Sequence, residues 1–245
     1  MNDLKTWPAW DAAVRWFHWI NVLCMIGLIA VGVVILNAKV LGVTNDGKIL
    51  LKTVHVWIGY VFAVNLLWRL VWAFIGGPLA RWRAFLPGGH GYLDELRSYI
   101  ADFIAGRPRQ YLGHNPLGRI AVTLLLLLLL TQAITGLVLA GTDLFYPPLG
   151  AQIAGWVAAS GVDPATLVPY APELYDKSAY EAMRAFREPF ITFHYYNFYA
   201  LICLAVIHTL AVVVTELREG GGLITAMFTG NKTLNVPPAD AARDD

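Results

Sequence analysis

The apolar residues of this chain do not alternate with polar ones over short stretches; they collect into four long runs. These are WFHWINVLCMIGLIAVGVVIL at 16–36, TVHVWIGYVFAVNLLWRLVWAFI at 53–75, GRIAVTLLLLLLLTQAITGLVLAG at 118–141, and a stretch at about 190–214. Crossing a hydrocarbon core of about 30 Å takes about 20 helical residues. Backbone groups in lipid must find their hydrogen-bond partners inside the segment, which favours helix over strand. The pattern therefore predicts an all-α, integral membrane four-helix bundle, a single domain over 1–245. Composition agrees: only 14% of residues are charged, against about 25% in soluble domains.

The connections have patterns of their own. In the 77–117 loop, GYLDELRSYIADFIAG keeps Leu93, Leu96, Ile100, Phe103 and Ile104 at helical spacing, which predicts an amphipathic helix lying at the membrane interface. The 142–189 loop is too long for a turn, and loops of this length usually carry function. Its last part, KSAYEAMRAF, predicts a short helix running into the fourth span through Pro189. The tail NVPPADAARDD reads as mobile.

Charge sets the orientation. Arg81, Arg83, Arg97, Arg107, Arg109 and Arg119 fall with Lys5, Arg15, Arg218, Lys232 and Arg243 on one side; Lys39, Lys48, Lys52, Lys177, Arg184 and Arg187 fall on the other. Eleven against six places both termini and the 77–117 loop in the cytoplasm of a bacterial inner membrane, with the 142–189 loop extracytoplasmic. The net charge of +1, without a basic tract, excludes a nucleic-acid partner. The first apolar run exceeds the h-region of a signal peptide and reads as a retained span. Cys24 and Cys203 belong to no Cys-x-x-Cys pattern and read as small apolar residues.

Four of the six histidines lie in the spans: His18, His55, His194 and His208. Imidazole within a membrane is retained for a pathway, a ligand or a hydrogen bond. Fourteen residues at 100° each fall 40° short of four turns, so His194 and His208 share a helix face about 21 Å apart along the axis. By depth, His55 matches His194 on the outer side and His18 matches His208 on the inner side. Two histidine pairs, each drawn from two helices, are what two bis-histidine haems require. Gly27, Gly32, Gly59 and Gly136 would let a flat macrocycle approach the backbone, or serve helix packing. Arg15, Lys52 and Arg119 lie near the ligands in depth and suit haem propionates as well as lipid headgroups. His-x₃-His spacing for zinc or non-haem iron is absent, as is a phosphate loop.

On the pieces VRWFHWINVLCMIGLIAVG, VHVWIGYVFAVNLLWRLVWAFIG, GHNPLGR with ITGLVL, and FHYYNFYALICLAVIHTLAVVVTELRE followed by LITAMFTGNKTL, the chain resembles the Ni/Fe-hydrogenase b-type cytochrome subunits and is similar to the formate dehydrogenase cytochrome b. The resemblance implies two haem b groups on His18, His55, His194 and His208. It also implies electron exchange between an extracytoplasmic redox partner and membrane quinone, with no bond-making on other substrates. It makes His114 and Asn115 candidates for a cytoplasmic-side quinone site, although Asn115–Pro116 equally reads as a helix entry. Glu216 and Glu219 read as proton relays or as solvated end charges. The 142–189 loop is longer than expected in the hydrogenase subunits, so a c-type cytochrome rivals hydrogenase as partner. Two other readings stay open: a self-sufficient oxidoreductase oxidising a small molecule such as superoxide, and a non-haem proton-relay transporter.

Overall fold

In the computed structural model, which describes residues 4–107 and 109–240, the four apolar runs are helices longer than the runs themselves. They are α1 (Ala12–Leu36), α2 (Asn45–Ile75), α5 (Pro116–Leu144) and α7 (Lys177–Glu219). The extensions are polar ends: Asp46 opens α2, and α7 begins in the predicted KSAYEAMRAF helix, continuing through Pro189 without a break. Large apolar residues such as Trp57, Leu127 and Leu210 are exposed on these helices, as expected of surfaces that meet lipid rather than a core. The chain is a multi-pass, all-α membrane bundle.

Shorter elements fill the connections. The helix α3 (Trp82–Phe85) precedes α4 (Tyr92–Ile104), the expected amphipathic helix. Its Tyr92 and Tyr99 are buried while Leu93, Ile100 and Ile104 are exposed, so the aromatic face turns inward and the aliphatic face outward. The 142–189 loop is a small folded body. Its helix α6 (Gly150–Val157) contributes Ile153, Ala154 and Val157 to an apolar core completed by Leu167, Tyr175 and Met183.

Two features depart from expectation. The strands β1 (Lys5–Pro8) and β2 (Asn231–Leu234) form an antiparallel pair with Lys5 opposite Leu234, so the two ends of the chain are joined. The short helix α8 (Leu223–Thr229) leads into β2. The tail is anchored through residue 240: Asp240 accepts hydrogen bonds from Leu112 and Gly113 N–H at 2.7 Å each, and Ala239 N–H donates to Gln110 O. Buried backbone N–H groups before α5 need acceptors, and the tail supplies them. Arg243 lies outside the described residues. Cys24 is buried and Cys203 exposed, and both are free thiols.

The described chain forms two compact units. The first comprises the described parts of Met1–Trp19, Leu66–Leu128 and Leu201–Asp245; the second comprises Ile20–Asn65 and Leu129–Ala200. Each of the long helices contributes to both. His18 and His208 fall in the first unit, His55 and His194 in the second.

Candidate functional sites

In the second unit, α2 and α7 bring His55 and His194 together, with ring centres 6.3 Å apart and planes inclined by 70°. Two imidazoles that share a metal through one nitrogen each stand about 6 Å apart centre to centre, given nitrogen–metal bonds of about 2 Å. The spacing fits. Glycines make the room: a Cβ on Gly136 of α5 would lie 3.3 Å from His194 Cε1, and one on Gly32 of α1 would lie 3.5 Å from His55 Cε1. These two glycines seat the imidazole edges. Gly27 packs on Ile58 instead, and Gly59 faces open space.

The hydrogen bonds fix the His194 tautomer. Thr135 Oγ1 donates to Thr131 O at 2.7 Å, so towards His194 Nδ1, 3.0 Å away, it offers only a lone pair. His194 Nδ1 therefore carries the proton and Nε2 is unprotonated. Gln132 agrees: its amide nitrogen lies 3.1 Å from Nε2, while its oxygen accepts from Asn197 Nδ2 at 2.6 Å. A neutral imidazole with Nδ1–H held by a neighbour and Nε2 unprotonated is the ligand form that iron takes, and a metal there would displace the Gln132 N–H that donates to that lone pair. His55 Nδ1 is buried without a hydrogen-bond partner.

Lys52 and Arg187 share one carboxylate in the same unit. Lys52 Nζ lies 2.6 Å from Asp143 Oδ2, and Arg187 Nε lies 2.7 Å from Asp143 Oδ1. Two cations on one anion leave a positive charge over. Tyr170, which adopts a φ of 64°, stands over the Lys52 ammonium at 5.3 Å.

In the first unit, His18 of α1 and His208 of α7 lie within electrostatic reach of each other. His18 meets Trp19 edge-on at 5.0 Å, and its Nδ1 is buried without a partner. Trp19 is in turn fixed by its N–H on Met227 O at 2.9 Å and by Phe228 at 4.6 Å. Arg15 donates to Phe228 O. Arg119 is buried and donates to Leu86 O, with its guanidinium 5.0 Å from the centre of the Tyr92 ring.

His114 packs on Trp10 with ring centres 4.9 Å apart, and its Nδ1 is buried without a partner. Burial, and after it the positive surroundings of Lys232, Arg69, His208 and Arg119, hold its pKa down to about 3. Asn115 is the N-cap of α5: its Oδ1 accepts from Gly118 N–H at 2.7 Å, with Pro116 in the first turn. Its amide donates to Tyr99 OH at 2.7 Å, and Tyr99 OH donates to Glu219 Oε1 at 2.7 Å. Burial first, and then the Glu219 carboxylate, push the Tyr99 phenol pKa up. Glu216 accepts from the N–H groups of Gly222, Leu223 and Ile224 at the start of α8.

A family model described as prokaryotic cytochrome b561 matches residues 9–230. The chain belongs to this family. As a membrane cytochrome of the b561 type it is implied to carry haem b and to transfer electrons, and the donor sets above are of the kind haem iron accepts. The chain is similar to proteins named probable Ni/Fe-hydrogenase B-type cytochrome subunit. That of Rhodobacter capsulatus is 25% identical over 92% of this chain and 80% of its own length. The Bradyrhizobium diazoefficiens protein is 25% identical over 91% and 84%. The hydrogenase 1 B-type subunit of Escherichia coli K12 is 34% identical over 53% of this chain and 58% of its own length. No solved structure matches the chain.

Sequence patterns singled out the four span histidines, His114 and Asn115. They did not single out Thr135, Gln132 and Asn197, or the burial of Arg69 and Lys232. A signal for the first group was available: Thr131, Gln132 and Thr135 interrupt the third apolar run just after its leucines, and polar groups in such a run need partners.

Proposed function

We propose that this cytochrome is a di-haem electron carrier linking an extracytoplasmic redox partner to the membrane quinone pool. His55 and His194 would hold one haem b, and His18 and His208 the other. The observation that carries the reading is the His55–His194 pair, set 6.3 Å apart with the His194 tautomer fixed by Thr135. Bound haem supplies reversible one-electron iron chemistry. The chain's own residues orient the ligands, compensate charge and exclude water.

In this reading both termini face the cytoplasm, and the folded 142–189 body faces the other side as partner surface. The hydrogenase-subunit names of the relatives favour a Ni/Fe hydrogenase as partner, with a c-type cytochrome as the rival. Arg15, Lys52 with its Asp143–Arg187 cluster, and Arg119 supply positive charge for haem carboxylates. His114, with its buried and unpartnered Nδ1, is the group best placed to meet a quinone oxygen, while Asn115 acts through the α5 cap and Tyr99.

A pyridine haemochrome assay with a haem count tests the ligand assignment. Wild type is expected to hold two haems per chain. His194→Ala and His208→Ala are each expected to lose one, or to convert it from low spin. Two unaltered haems in either variant would sink the assignment. Co-purification with a redox subunit under mild detergent tests the partner.

A further inference from the structure

The first unit buries positive charge that its carboxylates do not pair with directly, although Asp11 lies within electrostatic reach of Arg69, and Asp240, Glu219 and Glu216 within reach of Lys232. Arg69 and Lys232 are 5% and 2% exposed, and among the described residues neither forms an ion pair. The Arg69 guanidinium stacks over Phe85 at 4.6 Å, with its Nη1 shut from solvent and without a hydrogen-bond partner. The Lys232 ammonium donates to Tyr111 O at 3.0 Å and Gly113 O at 3.1 Å, which uses two of its three protons. His114, whose Nδ1 is likewise unpartnered, lies within electrostatic reach of both cations and of His208. Trp10 ties two of these groups together, with its ring 4.9 Å from His114 and 5.6 Å from the Lys232 ammonium.

Carboxylates of the same unit are engaged elsewhere. Asp11 accepts from Val14 N–H at 2.8 Å and Trp72 Nε1–H at 2.9 Å. Asp240 has both oxygens on backbone N–H groups, and Glu219 holds Tyr99. A buried cation with no carboxylate in direct contact is costly to hold, and an ionised group within a span is retained for a function. Two unspent donors, one on the Arg69 guanidinium and one on the Lys232 ammonium, define an acceptor that is anionic and carries more than one oxygen. The planar fork of arginine suits a carboxylate.

We propose that Arg69 and Lys232 form a carboxylate site beside His114, whose occupant is a propionate of the haem held by His18 and His208. The proposal rests on the haem-ligand reading above and adds residues to it. Arg69 reads from the sequence as an interruption in a span, and Lys232 as a tail charge.

The test is a spectroelectrochemical titration of the full-length protein in detergent, comparing wild type, Arg69→Gln, Arg69→Lys and Lys232→Gln. A cation near a haem favours the reduced form. One of the two midpoints is therefore expected to fall in Arg69→Gln and in Lys232→Gln, to fall less in Arg69→Lys, and to leave the other midpoint unmoved. The unmoved midpoint also reports that the chain has folded. If Arg69→Gln loses both haems, Arg69→Lys and Lys232→Gln decide by the same criterion. Two haems with unmoved midpoints in every variant would overturn the site and leave the ligand reading standing. A wild type without haem would defeat the ligand reading itself. Titration with succinate separates the sources of the carboxylate. A succinate-dependent shift in wild type that disappears in Arg69→Gln would assign the site to a free dicarboxylate and overturn the propionate.

Discussion

Around His194 the neighbours are neutral and mutually satisfied: Thr135 and Gln132 address its two nitrogens, and Asn197 holds Gln132. Around His18, His208 and His114 the neighbours are indoles and cations, with unpartnered nitrogens on His18 and His114. The two histidine pairs are thus furnished in two ways. Hydrogen bonding to the ligand and charge near the macrocycle are separate levers on a haem potential. A hydrogen bond that strengthens the donor ring favours the oxidised state, whereas a buried cation favours the reduced state. In the proposed reading the first-unit haem therefore has the higher midpoint, and electrons run downhill from the second unit to the first.

The contrast can be broken most completely at Gly136. A Cβ there would lie 3.3 Å from His194 Cε1, so the longer side chain of Gly136→Leu must displace the ring. Loss of one of two haems is expected, while Gly59→Ala, whose Cβ meets nothing within 4 Å, keeps both. A haem count on the two variants checks this.

A smaller effect is expected from pH. With its pKa held down to about 3, His114 stays neutral in the folded state while the unfolded chain takes up a proton near 6.5. Between these values the unfolded state binds more protons, so stability rises with pH. His114 thus contributes in full above about 6.5, and the contribution drains as pH falls toward 3. Thermal unfolding in detergent should become steeply acid-sensitive over that window, and His114→Gln should flatten the dependence. An unchanged slope in the variant would show that other groups set it.

The smallest expected effect is at Thr135. Thr135→Val keeps the shape but leaves His194 Nδ1–H without an acceptor, a loss of about 1–3 kcal/mol. It should raise one midpoint, opposite in sign to the fall expected from Arg69→Gln, and Thr135→Ser should restore it. No upward shift in Thr135→Val would remove hydrogen bonding as the second-unit lever.

The sequence made the spans legible because lipid imposes a length and a polarity that each run must meet alone. The histidine pairing was also legible, since helix arithmetic turns a fourteen-residue interval into a face and a depth; the His55–His194 contact agrees with it. The surroundings of those histidines were not. Thr135 and Gln132 lie far from His194 in sequence and meet it only through packing. Lys232 gave a misleading signal, because a lysine in a polar tail resembles a solvated charge until a strand pair and two carbonyl acceptors bury it. Asp240 misled in the same way: its partners are backbone N–H groups, which carry no sequence mark. The 142–189 body hid its fold because its core is assembled from short pieces between proline breaks.

The strand pair that joins Lys5–Pro8 to Asn231–Leu234 closes a loop spanning nearly all of the described chain. Closing so long a loop costs entropy that only the contacts it brings can offset. Those contacts are Lys232 on Tyr111 O and Gly113 O, and Asp240 on the N–H groups of Leu112 and Gly113. The first unit is thus held shut by a few polar contacts of very long sequence separation, and loosening one of them loosens the burial of the rest.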